Sequence, residues 1–174
     1  LEKPFDEERL MNFVKRAVEN FKLKNENKVL ETKLFHSFDL IGNSQNIEKI
    51  REQIEKLSNS ESRIFIYGPT GSGKELIARK IHKLSKRNKG PFVILNGALL
   101  DVKKYELELF GEEKENGSIT YGSLEKASGG TLLIDEISEI PLETQSKILR
   151  VLIDQKFKRI NSNHDIKVNV RIIC

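Results

Sequence analysis

Two groups of residues in this 174-residue chain have the types and spacing to do chemistry. The first is Gly68-Pro69-Thr70-Gly71-Ser72-Gly73-Lys74-Glu75. It follows a short apolar run, Ile64-Phe65-Ile66-Tyr67, and opens a segment with Leu76, Ile77, Ile81 and Leu84 at helical spacing. Glycines there admit backbone conformations closed to other residues, so consecutive N–H groups can turn inward on phosphate oxygens. The positive end of the following helix adds to the attraction. Lys74 supplies a cation for the β- and γ-phosphates. Glu75 stands where most such loops carry Ser or Thr to ligate Mg²⁺. That either weakens metal binding or marks a subfamily that holds the metal differently.

The second group is Thr131-Leu132-Leu133-Ile134-Asp135-Glu136. An apolar run ending in two acids puts carboxylates at the C-terminal edge of a buried strand, where ligands bind in open α/β sheets. Asp135 has the chemistry to hold Mg²⁺, usually through water. Glu136 can polarise an attacking water as general base. Paired with the phosphate loop in this order, the motif reads as ATP hydrolysis; a domain that binds nucleotide and turns it over slowly or not at all is the alternative.

The elements that must position these groups follow from periodicity. Leu10, Phe13, Val14, Ala17, Val18 and Phe21 give an amphipathic helix over about Asp6 to Asn25, with a polar stretch after it. Ser44 can cap a second helix, Gln45 to Leu57. Strands are expected at Ile64–Tyr67, Phe92–Leu95, Thr131–Ile134 and Lys167–Cys174, with helices at Glu75–Lys86 and after Pro141. Apolar strands alternating with amphipathic helices mean an α/β fold: a mainly parallel sheet covered on both faces.

Composition excludes several classes. The single cysteine, Cys174, forbids an intrachain disulfide and fits a reducing, cytoplasmic setting. No apolar run is long enough to span a bilayer, so no membrane contact is expected. The formal charge of +4 permits nucleic-acid contact without arguing for it. The basic residues Arg79, Lys80, Lys83, Lys86, Arg87 and Lys89 read as a solvated helix face. No metal-ligand spacing exists among His36, His82, His164 and Cys174. The chain opens on Leu1 and stops in an apolar run, and is read as a fragment of a longer protein.

Several motifs together resemble the AAA+ domain of sigma-54-dependent transcription activators. They are Leu40-Ile41-Gly42, the Glu75 after the loop lysine, Glu108-Leu109-Phe110-Gly111, and Leu124-Glu125-Lys126-Ala127-Ser128-Gly129-Gly130-Thr131 running into Asp135-Glu136. Gln145 and Lys147 to Leu152 match the helix that follows. Within that family the chain resembles NtrX-type nitrogen regulators. The resemblance implies a P-loop AAA+ three-layer sandwich, truncated here, over residues 36–174. It implies that Ile41 and Gly42 flank the adenine, that Gly68 to Glu75 and Ala127 to Gly130 belong to the ATP site, and that Asn96 holds Glu136 between turnovers. It implies ATP and Mg²⁺ as cofactors, and a hexamer or heptamer that remodels sigma-54 RNA polymerase.

Residues 1–35 resemble the end of a receiver domain and a helical linker, on Lys3-Pro4-Phe5 and the helix after it. That implies a two-component regulator with a sensor histidine kinase, and DNA binding through a domain missing here. One stretch departs from the family. Its Gly-Ala-Phe-Thr-Gly-Ala loop, which touches sigma-54, is replaced by Glu112-Glu113-Lys114-Glu115-Asn116-Gly117-Ser118-Ile119-Thr120-Tyr121-Gly122. The alternative function is therefore an ATP-binding, oligomerising regulator that does not remodel the polymerase.

Overall fold

The computed structural model describes residues 11–16, 18–19, 21–22, 40–100 and 104–174. The chain divides into two compact units, Leu1–Asp39 and Leu40–Cys174. In the first, the described residues are helical, within the span where the apolar period predicts a helix. Lys3-Pro4-Phe5 and the stretch from Leu30 to Leu34 lie outside the described residues.

In the second unit the elements in chain order are α1 (Gln45–Ser58), α2 (Lys74–Leu84), β1 (Phe92–Asn96), α3 (Tyr105–Phe110), β2 (Gly111–Glu113), β3 (Ile119–Tyr121), α4 (Ser123–Lys126), β4 (Thr131–Asp135), α5 (Leu142–Asp154), β5 (Lys156–Phe157), β6 (Ile166–Lys167) and β7 (Arg171–Ile173). Ser44 caps α1 as its sequence position predicts: its Oγ accepts the Ile47 amide at 3.4 Å.

Strands β1, β4 and β7 form a parallel sheet in that order, with Asn96 opposite Asp135 and Thr131 opposite Arg171. The run before the glycine loop lies beside β7. It is shorter than expected, with one bridge between Ile64 and Ile173 and the Ile66 amide bonding the Cys174 carbonyl at 2.6 Å. The expected strand over Lys167–Cys174 is interrupted. Lys167 pairs with Lys156, and the Val168 amide turns to the Gln155 carbonyl at 3.0 Å before the chain rejoins the sheet at Arg171.

Alternation along the strands divides the core in two. Leu95, Leu132, Ile134 and Ile172 pack on the face covered by α3, α4 and α5, with Leu109, Leu124, Ile148 and Val151. Leu133 and Ile173 pack on the other face with Ile54 of α1 and Ala78 and Ile81 of α2. The result is the three-layer α/β sandwich expected from the sequence. Leu132, Leu133 and Ile134 are each at most 2% exposed, so each contributes roughly 1.5–3 kcal/mol of burial free energy. That fixes β4 in the sheet centre and Asp135 at its end. All three strands point the same way, so Asn96, Asp135 and the segment after Ile66 meet at one pole.

Candidate functional site

The glycine loop sits at that pole between the Ile64–Ile66 run and α2. Gly71 and Gly73 adopt φ of +79° and +90°, the left-handed region that an L side chain resists. Gly73 is also the N-cap of α2, so the first turn of that helix faces the loop. Lys74 reaches back over the loop. Its Nζ donates to the Gly68 and Pro69 carbonyls at 3.2 and 3.3 Å, and lies 3.8 Å from Glu136 Oε1. Its side chain is 19% exposed and that of Glu136 30%, so the pair is partly screened yet open to a ligand.

Asp135 ends β4, and its Oδ1 accepts the Glu136 amide at 3.1 Å. Glu136 has φ 52° and ψ 49°, a left-handed conformation for a non-glycine residue. Such a conformation costs ~1–3 kcal/mol and persists only where the surroundings over-determine it. Here the Glu139 amide bonds the Glu136 carbonyl at 3.0 Å. Gln145 Nε2 donates to the Ile137 and Ile140 carbonyls at 3.2 and 2.7 Å. A cavity of about 230 Å³ lies between the loop and the acids, lined by Tyr67, Gly68, Lys74, Asp135, Glu136 and Cys174 among others. Burial pushes the Cys174 thiol up to about 11, so it faces the cavity as a neutral thiol.

Not every residue singled out from the sequence joins this group. Glu75 turns along α2 and pairs with Arg79 at 2.7 Å. Asn96 lies opposite Asp135 in the register, but its Oδ1 accepts the Ala98 amide at 2.9 Å. Arg51 Nη2 holds the Leu40 and Gly42 carbonyls at 2.7 and 2.8 Å, and Ile41 between them is 92% exposed.

Ala127, Ser128, Gly129 and Gly130 sit at the opposite end of β4, roughly 13 Å or more from Asp135 at ~3.3 Å per strand residue. Packing accounts for these glycines. A Cβ on Gly130 would lie 1.9 Å from the Pro91 carbonyl oxygen, and one on Gly90 would lie 2.3 Å from that of Gly129. The two chains cross there with no room for a side chain, and the Thr131 amide bonds the Pro91 carbonyl at 2.9 Å. This part of the motif starts the β1–β4 ladder and does not line the phosphate loop.

Other residues around the site had no strong sequence signal. Tyr105, 3% exposed, donates its hydroxyl to the Gly97 carbonyl at 2.5 Å and lies 3.3 Å from the Glu139 carbonyl. At the far end of the sheet, beside Thr131, Arg171 is 2% exposed and bonds the Leu57 carbonyl at 2.7 Å. The region of the expected activator loop is ordered as a hairpin. β2 and β3 pair antiparallel, and the turn is closed by Lys114 N to Ser118 O at 2.9 Å and Gly117 N to Lys114 O at 2.8 Å.

A central parallel sheet whose strand ends gather a glycine loop, its lysine and an acidic pair defines a P-loop NTPase fold of the AAA+ class. Residues 40–174 match the Sigma-54 interaction domain, and the chain belongs to that family. It is 44% identical over 174 residues to the nitrogen assimilation regulatory protein NtrX of Azorhizobium caulinodans, covering 99% of this chain and 38% of that one. It is 42% identical over 181 residues to the regulatory protein AtoC of Escherichia coli, covering 99% of this chain and 39% of that one. The crystal structure of NtrX from Brucella abortus superposes with a TM-score of 0.85 at 45% identity, over 99% of this chain and 38% of that chain. A structure of that protein in complex with ATP gives 0.79 at 45% identity, over 99% and 37%. The chain thus spans under two-fifths of the length of these relatives.

Proposed function

We propose that this chain is the ATP-binding part of a two-component transcription regulator of the sigma-54 activator type, and that the intact protein couples ATP hydrolysis to transcription control. The observation that carries the reading is Lys74 Nζ at 3.8 Å from Glu136 Oε1 at the mouth of the glycine loop. This proximity supports reading Lys74 as a phosphate-binding cation and Glu136 as a base at one strand end. The NtrX structure with ATP supports the ligand. In this reading the backbone N–H groups of residues 70–75 and the Lys74 ammonium bind the phosphates, and Glu136 orients and deprotonates the attacking water.

The residues fit Mg²⁺ that arrives with the nucleotide. Asp135 is the carboxylate on the cavity that would hold the ion, leaving its neighbour Glu136 free as base; Mg²⁺ usually keeps several waters when bound by one or two carboxylates plus phosphates. Among the described residues no group of three or more metal-ligating side chains would hold the ion alone. Bound there, Mg²⁺ would neutralise charge on the phosphates. Residues 1–35 are assigned to the end of a receiver domain and a linker, and 36–174 to the first part of the AAA+ domain. A sensor kinase, DNA, sigma-54 polymerase and further copies of the same protein are the partners of the whole molecule in this reading. Among the described residues, no helix is long and apolar enough to cross a membrane.

The experiment is ATP turnover by the intact protein. Glu136→Gln should keep nucleotide affinity and lose roughly 10²–10⁴-fold in turnover; unchanged turnover would remove Glu136 from the role of base.

The hairpin favours a second reading, in which ATP binding organises the regulator without polymerase remodelling. Its turn exposes Glu115, Asn116 and Gly117, with no aromatic at the tip. Its base is tied down by Glu113 N to Ile160 O and Ile160 N to Gly111 O, both at 3.0 Å. Such a short, closed, polar tip has neither the reach nor the anchor that a partner contact needs. A gel shift of the intact protein with sigma-54 and ADP–aluminium fluoride separates the two: a trapped complex supports remodelling, and none, with nucleotide bound, supports the second reading.

A further inference from the structure

Glu136 is held in an unfavourable backbone conformation at φ 52°, so something must prevent its segment from relaxing. The contacts point to a residue outside both motifs. Tyr105 is the first residue of α3 and is 3% exposed. Its hydroxyl donates to the Gly97 carbonyl at 2.5 Å and lies 3.3 Å from the Glu139 carbonyl. Gly97 directly follows Asn96, and Glu139 ends the short 3₁₀ turn Ile137–Glu139 that follows Glu136. One buried hydroxyl therefore spans the two segments that leave neighbouring strands at the site.

The two segments also touch directly. A Cβ on Gly97 would lie 2.5 Å from the Glu136 carbonyl oxygen and 3.2 Å from that of Asp135. Asn96 Oδ1 accepts the Ala98 amide at 2.9 Å and so fixes the turn that presents the Gly97 carbonyl. Backbone approach this close, with no side chain between, transmits any displacement of one segment to the other. A hydrogen bond across it from a rigid, buried ring sets their spacing.

We propose that Tyr105 is a positioning residue for Glu136, clamping the Gly97 turn to the Ile137–Glu139 turn so that the Glu136 carboxylate is held beside Lys74 and the phosphate loop. This rests on the reading of Glu136 as the base of an ATP site. The ring of Tyr105 packs in the core with Leu109 and Phe110, so Tyr105→Phe keeps the ring and removes only the hydroxyl.

The test is amide hydrogen exchange on the full 174-residue chain, wild type against Tyr105→Phe, with ADP affinity measured on the same samples. Exchange at Glu139 and Ile140, whose amides bond the carbonyls of Glu136 and Ile137, should accelerate threefold or more. Exchange in α2 and β7 should stay unchanged, and ADP affinity should stay within twofold. In the intact protein, kcat should fall about three- to tenfold at constant KM. Equal exchange at Glu139 and Ile140 in both proteins would overturn the proposal, and so would acceleration spread evenly over the core, which marks simple destabilisation. A wild-type chain that does not bind ADP would instead remove the functional reading beneath the proposal, and that result is visible before the variant is compared.

Discussion

His82 ties the phosphate-loop helix to the strand that carries the acids, and it makes stability depend on pH. Its Nδ1 lies 2.9 Å from Thr131 Oγ1, and its ring packs against Phe92 at 5.1 Å between centroids. Burial holds the imidazole below its ordinary value of 6.5; a hydrogen bond with the Gly90 backbone works the other way, and Arg171 and Arg79 lower it further. Unfolded, the ring titrates near 6.5; folded, it resists the proton until a lower pH. Between those points the unfolded chain binds more protons, so the native state loses stability as pH falls below 6.5 and has its full contribution above it. The loss from this one group reaches at most ~1.4 kcal/mol per pH unit. The assay is urea unfolding of wild type and His82→Gln at pH 7.5, 6.5 and 5.5. Subtracting the variant removes the carboxylates and other histidines common to both. The difference should be flat above pH 6.5 and shrink below it. A constant difference, or a wild type that gains on the variant in acid, would refute the argument.

Two further substitutions test the packing around the site. Gly130→Ala places a Cβ 1.9 Å from a backbone oxygen that cannot swing away, so it should lower unfolding free energy by ~1–3 kcal/mol or more. Urea midpoints decide this, and a neutral result would return the Ser128-Gly129-Gly130 motif to the question of what it contacts. Arg159 makes a two-pronged bond to Glu125 at 2.8 and 2.6 Å, each side chain 12% exposed, and lies over the Tyr121 ring at 5.5 Å. Arg159→Ala strands a largely buried carboxylate and should cost up to ~3 kcal/mol. The Arg159→Met/Glu125→Leu pair should recover much of that; a single variant as stable as wild type would show the pair to be idle.

What could be read from the sequence was what short-range pattern encodes. Ser44 announces α1 because a cap acts three residues ahead. β4 announces itself because a strand buried on both faces is an unbroken apolar run from Leu132 to Ile134. Lys74 and the Asp135-Glu136 pair were legible because their chemistry fixes both type and neighbours. Long-range polar contacts were not. Tyr105 and Glu139 are 34 residues apart, and Arg171 and Leu57 are 114 apart; no local pattern relates such residues. The glycines of Gly129-Gly130 were visible, yet their reason lies in Pro91 across the ladder. The hairpin at residues 111–121 was visible as a departure from the family, but its closure depends on Ile160, which belongs to another loop.

Lys74 and the glycine loop, in the reading proposed above, bind nucleotide phosphates. The decisive measurement is titration of a fluorescent ADP into the chain, with Lys74→Ala alongside and circular dichroism confirming that both proteins are folded. Wild type should bind saturably and the variant not at all, because the loop loses the cation that faces Glu136 at 3.8 Å. Equal affinity in the two folded proteins would contradict it.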